Sequence, residues 1–242
     1  MTTATQTAPA AGSGHHVREH RSVLAEAEKR VLVWLAHRMP HWVNSDHLTA
    51  LGSVAMIGGG LAFAAAALDR RWLALVPVML AINWFGDSLD GTVARVRNHQ
   101  RPRYGFYVDH VVDLVNATAL FVGLAFSSLM HPMLAIGLLL GYVLLAAESF
   151  LATHAVGIFR ISFSGVGPTE LRMLLATGAL VAIDKPLASP FGLMTMPLFD
   201  IGGAIGLFGM SVAFAISSFR NGQALYRAEP LPSRRGGDEE GR

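Results

Sequence analysis

The chain contains no cysteine. A disulfide framework, a thiolate nucleophile and a cysteine-type zinc site are therefore all excluded. Charge is scarce as well. Lys, Arg, Asp and Glu make up 15% of the 242 residues, against roughly 25% in a typical soluble domain. The formal net charge is only +2, so nucleic acid, a partner recognised through bulk electrostatics, is not expected. The opening residues, MTTATQTAPAAGSGHH, lack the apolar segment of a signal peptide and read as a disordered tail over residues 1–16.

Apolar residues fill what charge leaves: 52% of the chain is hydrophobic and the mean hydropathy is +0.42. Six apolar segments can be drawn, at Leu48–Leu68, Trp72–Ala94, Tyr104–Leu129, Pro132–Val156, Thr169–Ile183 and Leu198–Phe219. Most reach the ~20 residues that a bilayer requires, and the fifth is the shortest. The expected fold class is an all-α integral membrane protein with six transmembrane helices. Residues 40–222 would form the six-helix membrane domain, with a cytoplasmic tail over 223–242.

The distribution of positive charge tests the count independently. Six spans place both termini and the second and fourth loops on one side, with sixteen Lys and Arg residues. Only Arg70, Arg71 and Lys185 fall on the other. Basic residues concentrate on the cytoplasmic side of membrane proteins, so the termini are expected in the cytoplasm, in a cell inner or plasma membrane. Ahead of the first span, Leu24, Ala27, Val31, Trp34 and Leu35 recur at helical spacing. This suggests a cytoplasmic interfacial amphipathic helix over residues 17–39, although a soluble helix packed on the bundle would show the same pattern.

The segment from Gly86 to Asp113, GDSLDGTVARVRNHQRPRYGFYVDHVVD, carries four aspartates between two apolar runs. Asp87 and Asp90 are spaced i, i+3, and Asp109 and Asp113 i, i+4, so each pair shares a helix face. The short connection makes the two helices antiparallel neighbours whose acidic faces can meet. Each uncompensated aspartate at mid-bilayer costs about 2.5–3.5 kcal/mol, and four together approach the stability of a whole domain. Two divalent cations would cancel the charge, and an all-oxygen ligand set favours Mg²⁺ or Mn²⁺. The competing structural reading pairs these aspartates with Arg95, Arg97, Arg101 and Arg103. His110 points about 100° away from Asp109 and is expected to pack. Gly91, Ala94 and Gly105 leave one side of the hairpin nearly bare, and Arg95 stands at its rim, suited to a phosphate.

These residues carry a specific resemblance. Asp87-x2-Asp90-Gly91-x2-Ala94-Arg95, followed by Gly105-x3-Asp109-x3-Asp113, resembles the signature of the CDP-alcohol phosphotransferases, membrane enzymes of phospholipid synthesis. Pro40-x3-Asn44-x4-Thr49-x2-Gly52 is similar to the segment that leads into the family's first helix. The gap of nine residues between Arg95 and Gly105 is longer than the family spacing, and the surplus lies in the loop RNHQRPR. The resemblance implies that Asp87, Asp90, Asp109 and Asp113 hold two metal ions, that Gly91, Ala94, Arg95 and Gly105 line a CDP site, and that Asp113 is also the general base. It implies a CDP-linked lipid donor, preferably CDP-diacylglycerol, and a small alcohol acceptor; a CDP-amino alcohol donor with diacylglycerol as acceptor is the alternative. Membrane lipids and a second copy of the chain in a homodimer are the other expected partners.

The loop GIFRISFSGVGPTELR lies on the expected catalytic side. Arg160, Glu170 and Arg172 there are candidates for binding the acceptor, against a simple anchoring role. Glu148 is an intramembrane acid, a candidate for function or for pairing with His154 or an arginine. Two other classes compete. An aspartate-rich prenyltransferase would carry its acidic motifs on well-separated helices, and an ion or proton transporter would spread carboxylates over several helices at mid-depth. Here all four flank one loop.

Overall fold

The computed structural model describes residues 23–156, 168–192 and 194–229. Among these residues seven α-helices follow one another: α1 (Val23–Arg38), α2 (Ser45–Ala65), α3 (Leu75–Val96), α4 (Pro102–Phe126), α5 (Pro132–Val156), α6 (Pro168–Asp184) and α7 (Leu198–Ala228). Local chemistry sets their starts. Asn44 caps α2 through its side chain, which accepts from His47 N at 2.9 Å, while His47 Nδ1 accepts in return from Asn44 N. Pro102 opens α4, where its missing N–H costs nothing. Asp69 caps a 3₁₀ turn, Arg70–Ala74, that leads directly into α3. The only strands among the described residues, β1 (Leu187–Ala188) and β2 (Met196–Pro197), form a two-residue antiparallel ribbon before α7.

Among the described residues, five helical segments are long and apolar enough to cross a membrane: Ser45–Ala65, Arg70–Val96, Pro102–Phe126, Pro132–Ala155 and Leu198–Ala228. The sixth expected span falls in α6, whose 17 residues are fewer than in any of these five. At 1.5 Å per residue α6 covers about 25 Å, against a hydrocarbon core of about 30 Å. It nevertheless runs beside α3. Arg172 near its start reaches Asp87, and Ala179 and Ala182 near its end join the buried cluster of Leu73 and Val76. The other difference at the ends is in α7, which continues as one helix to Ala228, past the expected boundary at 222.

Helix α2 is the centre of the bundle and touches α3 and α4 backbone to backbone. A Cβ on Gly86 would stand 2.7 Å from Gly52 N. Further along, a Cβ on Gly123 would fall on the Gly60 carbonyl, and one on Gly60 on the Ala119 carbonyl. Only glycine permits these approaches, the usual device for close helix packing in lipid. Away from the aspartates, Phe63, Leu73, Val76, Leu80, Leu124 and Leu138 form the main buried cluster. A smaller one, Leu32, Ala36, Leu48, Leu89 and Val93, fastens α1 to α2 and α3. Glu28 adds to it by accepting from Trp84 Nε1 at 2.7 Å. The opposite side of α1 shows Trp34, exposed, with the Arg38 guanidinium 3.9 Å from its ring centroid.

The long α3–α4 loop has a definite job. Arg97 turns back to the α1–α2 connection and donates to the carbonyls of Met39 at 2.8 Å, Pro40 at 3.0 Å and Val43 at 2.5 Å. Arg101 pairs with Asp46 at 2.7 Å and lies over the Tyr104 ring at 4.1 Å. Asn98 takes the left-handed backbone conformation, φ 54°, that reverses the chain between them. The extra length thus clasps the loop to the start of α2.

The backbone contact between α2 and α4 makes a direct prediction. Gly123→Val should lower stability in detergent by roughly 3 kcal/mol or more, because backbone cannot yield to a new side chain. At Gly209, inside α7, an added Cβ meets nothing within 4 Å, so Gly209→Ala should leave stability unchanged or raise it by up to about 1 kcal/mol. Thermal unfolding of the two variants side by side checks this, and equal midpoints would refute the packing account.

Candidate active site

The two aspartate-bearing helices are both pinned to α2, and this brings their acidic faces over one cleft. Asp87 and Asp90 enter it from α3, and Asp109 and Asp113 from α4. Carboxylate oxygens of Asp87, Asp109 and Asp113 come within 4.8 Å of one another. Three carboxylates converge here without a nitrogen or sulfur donor among them. That is the ligand chemistry of a hard divalent cation, Mg²⁺ or Mn²⁺, so the residues fit the expected metal. Asp90 lines the same cleft but is turned toward α2. Its Oδ2 accepts from Thr49 Oγ1 at 2.6 Å and its Oδ1 from the Gly91 backbone N–H.

Three of the four arginines that the structural reading invoked are engaged elsewhere. Arg97 and Arg101 serve the clasp, and Arg95 Nη2 donates to Thr92 Oγ1 at 3.0 Å. Arg172, on α6, does reach one of the carboxylates. Arg172 Nη2 lies 2.5 Å from Asp87 Oδ2, and its Nε donates to Asn83 Oδ1 at 2.8 Å. Its side chain is 15% exposed, which is far from the solvated posture of a membrane anchor. Glu170, two residues earlier in α6, is exposed. Arg160 lies outside the described residues.

The expected nucleotide-binding residues are arranged in two parts. Ala94 lines a groove of about 410 Å³ with Asn44, Ser45, His99, Gln100 and Arg101. At Gly91 an added Cβ would stand 3.3 Å from Arg95 Nη1. The guanidinium lies over the glycine, so the hollow inferred beside the aspartates is partly filled by Arg95 itself. Gly105 stands apart in the first turn of α4, exposed, with open space where a side chain would be.

Several polar residues of the site escape a reading of the sequence alone. Asn83 is 2% exposed and ties Arg172 to the α2 backbone. Asn116 accepts from Ser53 Oγ at 2.9 Å, linking α4 to α2 beside Asp113. Their spacing is a usable signal, since Asn83 precedes Asp87 by four residues and Asn116 follows Asp113 by three, on the faces that carry the carboxylates. His110 packs, as its angle predicts, between Phe106 and Phe150, at ring distances of 4.1 and 5.0 Å. Glu148 takes neither expected partner and instead accepts from Ser217 at 2.8 Å and Asn221 at 2.7 Å, both on α7.

Comparison with known proteins follows from this geometry. Residues 44–215 match the model of the CDP-alcohol phosphatidyltransferase family. Two solved structures share the fold, both of Mycobacterium tuberculosis phosphatidylinositol phosphate synthase (PgsA1). The one with CDP-DAG bound is 20% identical, with a TM-score of 0.57 over 81% of this chain and 94% of the other. The one in complex with manganese and citrate is also 20% identical, with a TM-score of 0.55 over 82% and 88%. Curated proteins give no match. The family match covers most of the chain and contains the whole aspartate hairpin, so the protein belongs to the CDP-alcohol phosphatidyltransferases, membrane-bound transferases of phospholipid synthesis.

Proposed function

We propose that the protein transfers the phosphatidyl group of CDP-diacylglycerol to the hydroxyl of a small alcohol, releasing CMP. The observation that carries this reading is the convergence of Asp87, Asp109 and Asp113 beside the groove that Ala94 lines. The synthase crystallised with CDP-DAG, and its form with manganese, support the choice of donor and metal class.

In this reading Asp87, Asp90, Asp109 and Asp113 hold two divalent cations, Mg²⁺ or Mn²⁺. Such ions screen the diphosphate and stabilise charge on the departing CMP. The chain's own residues do the rest. Asp113 accepts the proton of the acceptor hydroxyl as its oxygen attacks the phosphatidyl phosphorus and the bond to CMP breaks. Gly91, Ala94, Arg95 and Gly105 bind the CDP portion, with the Arg95 guanidinium facing phosphate from above Gly91. Arg172, Glu170 and Arg160 bind the acceptor. The support for Arg172 is its position: it already stands within hydrogen-bond distance of Asp87.

The membrane arrangement follows the charge asymmetry. Helix α6 completes six spans by lying along α3, and residues 40–222 form one catalytic domain. Both termini and the active site face the cytoplasm. Helix α1 lies in the interface, with Trp34 and Arg38 on its free side at headgroup depth.

Purified protein given CDP-diacylglycerol and a panel of small alcohols, with lipid products identified by mass spectrometry, should release CMP with at least one of them. EDTA should abolish the release and added Mn²⁺ or Mg²⁺ restore it. Release only from CDP-choline or CDP-ethanolamine with diacylglycerol would reverse the donor assignment. Asp113→Asn should leave binding of the CDP donor within a few-fold of wild type and lower kcat by about 10² or more, the range for loss of a general base. Near-normal kcat in that variant would remove Asp113 from the role.

A further inference from the structure

Asn83 lies one turn before Asp87 on the same face of α3, and both ends of its amide are engaged. Nδ2 donates to the Gly52 carbonyl at 2.9 Å, and Oδ1 accepts from Arg172 Nε at 2.8 Å. The same guanidinium places Nη2 at 2.5 Å from Asp87 Oδ2. Hydrogen bonds therefore run from the α2 backbone through Asn83 to Arg172 on α6, and from Arg172 to Asp87. Because the guanidinium is a rigid planar fork, fixing Nε also fixes where Nη2 points. Asn83 is thus the residue that aims Arg172.

The target of that aim is also one of the three converging carboxylates. A guanidinium on Asp87 and a dication among Asp87, Asp109 and Asp113 carry like charge at close range, in a partly buried place that salt screens weakly. An uncharged hydrogen-bond donor beside a ligand carboxylate orients it and strengthens metal binding. A cation in the same position also repels the metal and competes for a ligand oxygen.

We propose that Asn83 is a positioning residue that holds Arg172 against Asp87 as a built-in counter-cation, lowering the affinity of the carboxylates for divalent metal in the resting enzyme. The metal role itself rests on the function proposed above. Metal is then held firmly only when the diphosphate of the donor adds negative charge, and Arg172 is released toward the acceptor at that stage.

The test is the Mn²⁺ dissociation constant of the purified protein without substrate, read from the free-ion signal in electron paramagnetic resonance. Arg172→Gln should tighten Mn²⁺ binding about tenfold or more, equivalent to about 1.4 kcal/mol. Asn83→Ala should tighten it in the same direction. The double variant should bind no more tightly than Arg172→Gln alone, since Asn83 acts through Arg172. Arg172→Lys keeps the charge but cannot bridge Asn83 and Asp87, and should fall between wild type and Arg172→Gln. A merely structural Asn83 predicts the opposite sign, with looser packing and weaker Mn²⁺ binding. Arg172→Gln leaves the Asn83–Gly52 bond in place, so it decides the matter even if Asn83→Ala fails to fold. Unchanged or weaker Mn²⁺ binding in Arg172→Gln overturns the inference alone. A wild-type protein that binds no Mn²⁺ overturns the metal reading together with it.

Discussion

Everything at the site depends on how closely α2 approaches its two neighbours. Lipid offers little hydrophobic drive for helices to associate, so close packing must do the work. Gly52 against Gly86 brings α3 onto α2, and Gly60 against Gly123 brings α4 onto the same helix. Both aspartate-bearing helices are thereby fixed to one spine rather than only to each other. The spread of the carboxylates is then set by backbone contacts, which flex little, and not by long side chains.

The polar groups gathered around this spine show the same economy. Thr49 holds Asp90, the Gly52 carbonyl holds Asn83, and Ser53 holds Asn116, so three positions within about one turn of α2 each support a polar residue of α3 or α4. Among the described residues no buried side-chain nitrogen or oxygen lacks a partner. In a helix bundle of this hydropathy such complete pairing matters, because an unpaired polar group has no water to fall back on. Helix α2 is therefore a scaffold for both geometry and hydrogen bonding, although it carries none of the four aspartates.

The sequence made much of this legible. Spacing of i, i+3 and i, i+4 placed each aspartate pair on one helix face, and the short connection made the faces meet. The apolar runs located the long apolar helices to within a few residues, except at the end of α7, which continues to Ala228. What it could not show depends on contacts between distant segments. Arg172 is 85 residues from Asp87, and only the packing of α6 along α3 joins them. The bare side of the hairpin looked open because glycine spacing says nothing about where the Arg95 side chain turns. The loop RNHQRPR could be recognised as too long, but its purpose lies in carbonyl groups of another connection, and main-chain acceptors leave no mark in a sequence. Helix α6, at 17 residues, shows the limit of hydropathy: the apolar run locates the helix, but its packing along α3 is visible only in the structure.

The Arg97 clasp also has a consequence for the order of assembly. The carbonyls of Met39, Pro40 and Val43 leave the ribosome more than fifty residues ahead of the guanidinium that satisfies them. The connection between α1 and α2 must therefore rely on water until α2 and α3 have both been made.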